Sequence, residues 1–402
     1  MNNRAIDLQL IKPVKPGSSG SKGKIFLKQL LKEELKELNV PTYDSCCGEV
    51  PPETEPFNLV TTDSDSINFS GSGTIEDPLT AEVVSINGLA NVRLYGAVGD
   101  GTTNDTQAFQ DAVSTGLTVE VPPGTYLIDE TIEISNQKIF GYGKSSIIKT
   151  TTLGTAGSLG TAFHMFRAIN PCEISGLRFI GTNTTSPPTP SLPWTSQNGI
   201  WVTASNVRIS DCTFNQLLGV GVLMVHPSLS PLRNNSVSNC EMTYCGLGIH
   251  NYETSEYHNF TNCNIYGCAI GIREMGANNT YSAIVSTYNT TGGGFGLRIV
   301  GNGGGSDNLT FNGCVFNHNN ELSIQDTKRG VIFSGCQFHS LVINISESQR
   351  VIFTGCGFGD STTMNVTATT AKKTLIANSY YLSPFAPSNG ATSAVITEVN
   401  NI

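Results

Sequence analysis

Charge is what this sequence has least of. Only 14% of its 402 residues are charged and 38% are hydrophobic, against roughly 25% and 45–50% in an ordinary globular domain. No run of apolar residues approaches the length of a bilayer-spanning helix, so insertion into a membrane is not expected. The opening stretch, MNNRAIDLQLIKPVKPG, has no apolar h-region, and the expectation is a chain without a Sec signal peptide. There is no P-loop, dinucleotide fingerprint or Ser-His-Asp arrangement, and no cofactor is expected. The body carries no basic patch and no reader motif, so a nucleic-acid partner is not expected either. In place of the missing charged and apolar residues stand Ser, Thr, Asn and 42 glycines. That much glycine excludes long helices, while recurrent Phe, Ile, Val and Leu with a net charge of only -9 exclude disorder. What remains is a protein of short strands and tight turns.

The chain changes character along its length. Residues 1–23 are polar and broken by Pro13, Pro16, Gly17, Gly20 and Gly23, as in a flexible arm. Residues 24–38 place Ile25, Leu27, Leu30, Leu31, Leu35 and Leu38 on one helical face, which Asn39 and Pro41 end. The first 40 residues hold eight Lys/Arg against four Asp/Glu, a basic arm on an acidic body. Residues 41–90 form a Pro/Glu-rich connector and a small β adaptor with a turn at Ser70–Gly73. From Asn91 a short helix, roughly Asp105 to Val113, is followed by a strand into the turn Pro122-Pro123-Gly124.

Two ladders then repeat. The first has the form apolar, Ser/Thr, Gly/Asn/Asp, Cys, any residue, apolar. It starts at Ile174-Ser175-Gly176-Leu177-Arg178-Phe179 and Ile209-Ser210-Asp211-Cys212-Thr213-Phe214. It ends at Phe353-Thr354-Gly355-Cys356-Gly357-Phe358, with seven copies in all and a gap between Gly271 and Gly296. The third position is always Gly, Asn or Asp, the residues that accept a left-handed backbone, so a tight bend between two strands belongs there. Cys in the next position points inward as a small hydrophobe. The second ladder runs from Gly199-Ile200-Trp201-Val202 to Val342-Ile343-Asn344-Ile345, with copies 21–27 residues apart. Interleaved strand ladders of one period mean one solenoid coil per repeat. About eight coils are expected. The fold class is all-β, a single-stranded right-handed parallel β-helix spanning residues 91–374, and residues 375–402 form a C-terminal cap or trimerisation segment.

Alternation along a strand puts every second side chain outside. On the second ladder the outward column includes Trp201, His250, Arg273 and Arg298, one strand spacing apart, and these side chains suit carbohydrate. Trp194 lies in a proline-rich insertion, residues 181–198, and is a second candidate sugar platform. Glu274 and Asn251 fall where their ladder-mates are apolar. Either they line a local polar pocket or the strand ends early, and the early end is the favoured expectation. Hydrolysis of a glycoside needs two carboxylates; the outward column offers none. The acid/base candidates are Glu253 and Glu256, in a turn with His250 and His258. Cys240, Cys245, Cys263 and Cys268 form two C-x4-C pairs, but the ladder already accounts for two of them and zinc prefers tighter spacing, so no metal is expected. An odd count of 11 cysteines without a secretory signal favours reduced thiols.

Residues 91–134, with GAVGDGTTNDTQAFQ and VPPGTYLI, resemble the entry motif of pectate-lyase-like parallel β-helix proteins, where this motif caps the first coil. The chain as a whole resembles bacteriophage tailspike and tail-fibre proteins, with an NFSGSGT-x-x-DPL stretch similar to phage-fibre connectors. That resemblance implies a homotrimer on the virion, joined to other virion proteins through residues 1–40 and binding host cell-surface polysaccharide. The alternative it leaves open is a polysaccharide depolymerase, a glycosidase or a lyase.

Overall fold

The computed structural model describes residues 67–70, 80–83, 88–154, 161–182, 197–290, 294–301, 308–367, 372–381, 388–389 and 394–399. The expected basic arm, its helix at residues 24–38 and Trp194 lie outside the described residues. Ahead of the solenoid, Ile67–Ser70 and Thr80–Val83 pair antiparallel, Ile67 against Val83 and Ser70 against Thr80.

From Leu89 onward the chain winds through three parallel sheets. Among the described residues, the first holds 13 strands, from Leu89–Asn91 to Ala394–Val399. The second holds 12, from Asp100–Asn104 to Tyr380–Tyr381. The third holds 11, from Ile132–Ile134 to Ser388–Asn389. One coil runs through each sheet in turn, for example Arg208–Ser210, Thr213–Asn215 and Val220–Met224. There are more coils than the eight expected, because the early and final turns close without the Gly-Cys signature. The first-sheet ladder also continues through Lys372–Ala377, so residue 374 falls within a strand.

The bend between the first and second sheets is one residue in the left-handed region. All seven expected residues adopt it, from Gly176 at φ 62° and Asp211 at 55° to Gly355 at 61°. The gap in the ladder is filled by a degenerate copy in which Ala283 takes the bend (φ 52°) and Ile284 the cysteine's place. The glycines of the second ladder answer a different need. A Cβ on Gly199, Gly221, Gly248 or Gly271 would stand 2.5–2.7 Å from the carbonyl oxygen of the corresponding glycine one coil on. Only a hydrogen fits where coils stack this closely.

The interior is a set of side-chain columns. Phe260, Tyr281, Phe311, Phe333 and Phe353 stack with ring centroids 4.5–4.9 Å apart and planes within 6–16°. That separation is the strand spacing, so the sheet itself sets the stacking distance. Helix α1, Thr106–Ser114, closes the N-terminal end of this core by burying Ala108, Phe109 and Ala112, with Phe109 edge-on to Tyr126 at 5.4 Å.

Candidate functional site

The acidic stretch GDGTTND is occupied with holding the first coil. Asp100 accepts from the Thr102 and Thr103 amides at 2.8 and 2.7 Å, which holds its carboxyl well below the usual carboxylate range. Asp105 is buried and accepts from the Val98 and Gly99 amides at 2.6 and 3.2 Å. Asp129 accepts from Asn104 and Thr106 at 2.7 and 2.8 Å. These carboxylates serve backbone geometry.

The outward column of the third sheet departs from the expected surface stripe. Trp201 is 5% exposed, and His250 and Leu223 are wholly buried. Trp201, Val220, Leu223, Val225, Leu247 and Ile270 form a second hydrophobic cluster separate from the interior core, with Tyr252 and Phe295 packed on it. The Trp201 indole N–H donates to the Val225 carbonyl at 2.9 Å. His164 stacks on its ring at 4.4 Å, and the Arg167 guanidinium lies 4.6 Å from its centroid. Trp201 and His250 are therefore covered, and neither offers an open ring to a sugar. Alternation gave their direction correctly; it carried no information about what lies over the sheet. Further along, Arg273 and Arg298 face each other in register and are half-buried, with the Arg298 guanidinium 5.1 Å from the Phe295 ring centroid. Burial and the neighbouring Arg298 pull the Arg273 guanidinium below its ordinary value.

The turn carrying Glu253 and Glu256 does not assemble with its histidines. Glu256 sits 3.4 Å from Arg233 in an ion pair, while Glu253 lies half-buried beside Tyr252. His258 is buried with its Nδ1 accepting from the Asn235 amide at 3.1 Å, and burial pulls its imidazole down to about 3. Burial, then Arg273, holds His250 well below its ordinary value. Both rings stay neutral near pH 7.

Glu274 corrects another expectation. The strand Ile270–Glu274 does not end early: it pairs through Asn251–Glu274 and turns both side chains inward. Asn251 Nδ2 donates to both Glu274 oxygens at 3.0 and 3.1 Å, Asn279 Nδ2 donates at 3.3 Å, and the Tyr281 hydroxyl also donates. Burial pushes this carboxyl up to about 7 despite those donors. It is a sealed polar pocket in the core, not an open site. The four C-x4-C cysteines are equally inward. Cys240 and Cys263 belong to the first bend, Cys245 and Cys268 to the second, and each thiol points at a backbone carbonyl.

The bend between the second and third sheets holds residues the sequence reading did not single out. There, Tyr244, Tyr266, Tyr288 and His318 form a column on the outside, with centroids 5.6, 5.5 and 4.7 Å apart. The three tyrosines are 36–48% exposed. Tyr244, Tyr288 and His318 adopt φ of 55°, 54° and 50°, a region unfavourable to bulky side chains. A Cβ on Gly267 would lie 2.9 Å from the Tyr244 ring, so the glycine leaves room for that ring to lie across the next coil. A tyrosine at a residue-long bend was the available signal, but bends are read from Gly, Asn and Asp, and aromatics draw attention to the core.

Comparison with known proteins places this architecture. Residues 89–165 match the model of the family described as Rhamnogalacturonase A/epimerase, pectate lyase-like, and residues 169–338 match that of the right-handed β-helix region. The chain carries a right-handed parallel β-helix whose first coils match a pectate-lyase-like model. This β-helix chain is 27% identical over 197 residues to the pre-neck appendage protein of Bacillus phage B103, covering 44% of this chain and 22% of that protein. It is 28% identical over 196 residues to the pre-neck appendage protein of Bacillus phage phi29, covering 43% and 22%. The chain thus spans about a fifth of the length of these curated relatives. Among solved structures, the catalytic unit of an α-1,3-glucanase from Streptomyces thermodiastaticus aligns with a TM-score of 0.57 at 15% identity, over 79% of this chain and 69% of that one. A protein of Geobacillus virus E2 aligns with a TM-score of 0.53 at 18% identity, over 77% and 61%. At these identities the structural matches speak for the fold alone.

Proposed function

We propose that this chain is a homotrimeric subunit of a phage virion appendage, attached by residues 1–40 and binding host surface polysaccharide through its β-helix. The sequence relationship to phage pre-neck appendage proteins carries the reading. The basic arm ahead of an acidic body fits an attachment segment. Arg273 and Arg298, adjacent on the third sheet, carry guanidinium donors suited to glycan hydroxyls. Binding is favoured over cleavage because several of the described carboxylates, Glu256 among them, are committed elsewhere. Glu133, Glu173, Glu241 and Glu256 pair with basic residues, and Glu274 is sealed inside.

The test is incubation of the purified protein with isolated bacterial surface polysaccharide, scored for retention and for new reducing ends. Retention without new ends is the expected result. Released oligosaccharide that disappears in Glu253→Gln or Glu256→Gln would establish a depolymerase instead. Sedimentation velocity should give three times the chain mass, and deletion of residues 1–40 should abolish incorporation into particles.

A further inference from the structure

The outer column at the second bend has a conformational cost. Left-handed backbone is cheapest for Gly or Asn, and elsewhere this bend is met by Gln216, Gly267 and Ser340. Tyrosine in the same conformation, at Tyr244 and Tyr288, is strained, and these residues still keep 40% and 48% of their surface exposed. Strain of this kind is retained where a side chain must be presented in a fixed place. The rings are spaced by the sheet, so four of them mark a line about 14 Å long parallel to the solenoid axis. The immediate flanks are uncharged: Thr243, Asn264, Thr287, Thr290, Asn317 and Asn320. Glu241, nearby on the same sheet, is paired with Lys144 at 2.9 Å.

We propose that Tyr244, Tyr266, Tyr288 and His318 form a binding platform for a neutral polysaccharide, whose pyranose faces lie on the rings along successive coils. This deepens the glycan-binding reading above and rests on it. Tyrosine combines an apolar ring face, suited to sugar C–H groups, with a hydroxyl suited to sugar hydroxyls. The absence of charge in the flanks argues against an acidic chain at this position. The sparse apolar area, a single file of rings set among Thr and Asn, argues against a second copy of the protein, whose interface would need a broader apolar patch.

The test uses the full chain with Tyr244→Asn, Tyr266→Thr and Tyr288→Asn combined. Asn suits the left-handed bend, and Thr already stands at the position of Tyr266 one coil later, at Thr287, so the variant should fold as stably as the parent. The probes are neutral hexa-oligosaccharides of glucose, in β-1,4, β-1,3 and α-1,4 linkage, read by calorimetry beside isolated bacterial cell walls read by co-sedimentation. Expected is binding of at least one oligosaccharide by the parent, weakened at least about tenfold in the variant. Equal binding by both overturns the platform. Cell-wall binding that survives without any oligosaccharide binding also overturns it and leaves the receptor reading standing. Binding of neither cell walls nor oligosaccharide defeats the receptor reading itself. A variant that changes oligomeric state in sedimentation marks the column as a subunit contact and overturns the proposal.

Discussion

Two aromatic columns run along the same solenoid, one inside and one outside. Inside, Phe260 to Phe353 stack within 16° of parallel, because neighbouring columns confine each ring on every side. Outside, the Tyr244–Tyr266 and Tyr266–Tyr288 planes meet at 89° and 52°, and only Tyr288–His318 approach parallel at 9°. Both columns place one ring on each coil because the sheet imposes that repeat, but the inner centroids stand 4.5–4.9 Å apart and the outer ones 4.7–5.6 Å. The inner column exists for packing, and its rings sit on relaxed strand backbone. In the outer one, Tyr244, Tyr288 and His318 sit on strained bends, and the three tyrosines stay 36–48% exposed.

Perturbing each column separately sharpens that contrast. The largest effect belongs to the inner one. Phe333→Ala removes a wholly buried ring between two neighbours at 4.8 and 4.9 Å, and should cost about 3–5 kcal/mol in guanidinium unfolding. The next is electrostatic and also internal. Glu274 binds its proton more tightly folded than unfolded, so its contribution is fully present below about pH 4.5 and is lost as pH rises to about 7. Relative to Glu274→Gln, the parent should therefore lose about 3 kcal/mol across that interval. Neutral buried His258 works in the opposite direction below its unfolded pKa, so the difference between the two proteins at each pH is the quantity to follow. Gly267→Ala puts a Cβ into a left-handed bend and against the Tyr244 ring, and should cost about 1–2 kcal/mol. Smallest of all, Tyr244→Asn should leave the melting temperature unchanged or slightly raised, since it relieves the bend.

The sequence disclosed the solenoid where local chemistry is compulsory. A one-residue bend demands Gly, Asn or Asp, and a thin interior demands small or flat side chains, so Gly176 through Gly355 could be read directly. Ala283 was missed because alanine does not favour that bend, so nothing in its side chain marks it. Trp201 and His250 were read as exposed because a strand's alternation says which way a residue points, not what covers the face. Glu274 was read as a strand end because a carboxyl in an apolar column looks like a mismatch until Asn251, Asn279 and Tyr281 are seen converging on it from neighbouring positions. The outer tyrosines were overlooked for the converse reason: nothing local makes them necessary.

The most direct measurement is tyrosine-resolved. With ring-labelled tyrosine in the full chain, resonances are assigned by single substitution and followed as a bound neutral oligosaccharide is titrated in. Tyr142 and Tyr257, 52% and 51% exposed but outside the column, serve as internal controls. The account expects Tyr244, Tyr266 and Tyr288 to shift together while Tyr142 and Tyr257 stay fixed. Shifts at the controls with the column silent would contradict it.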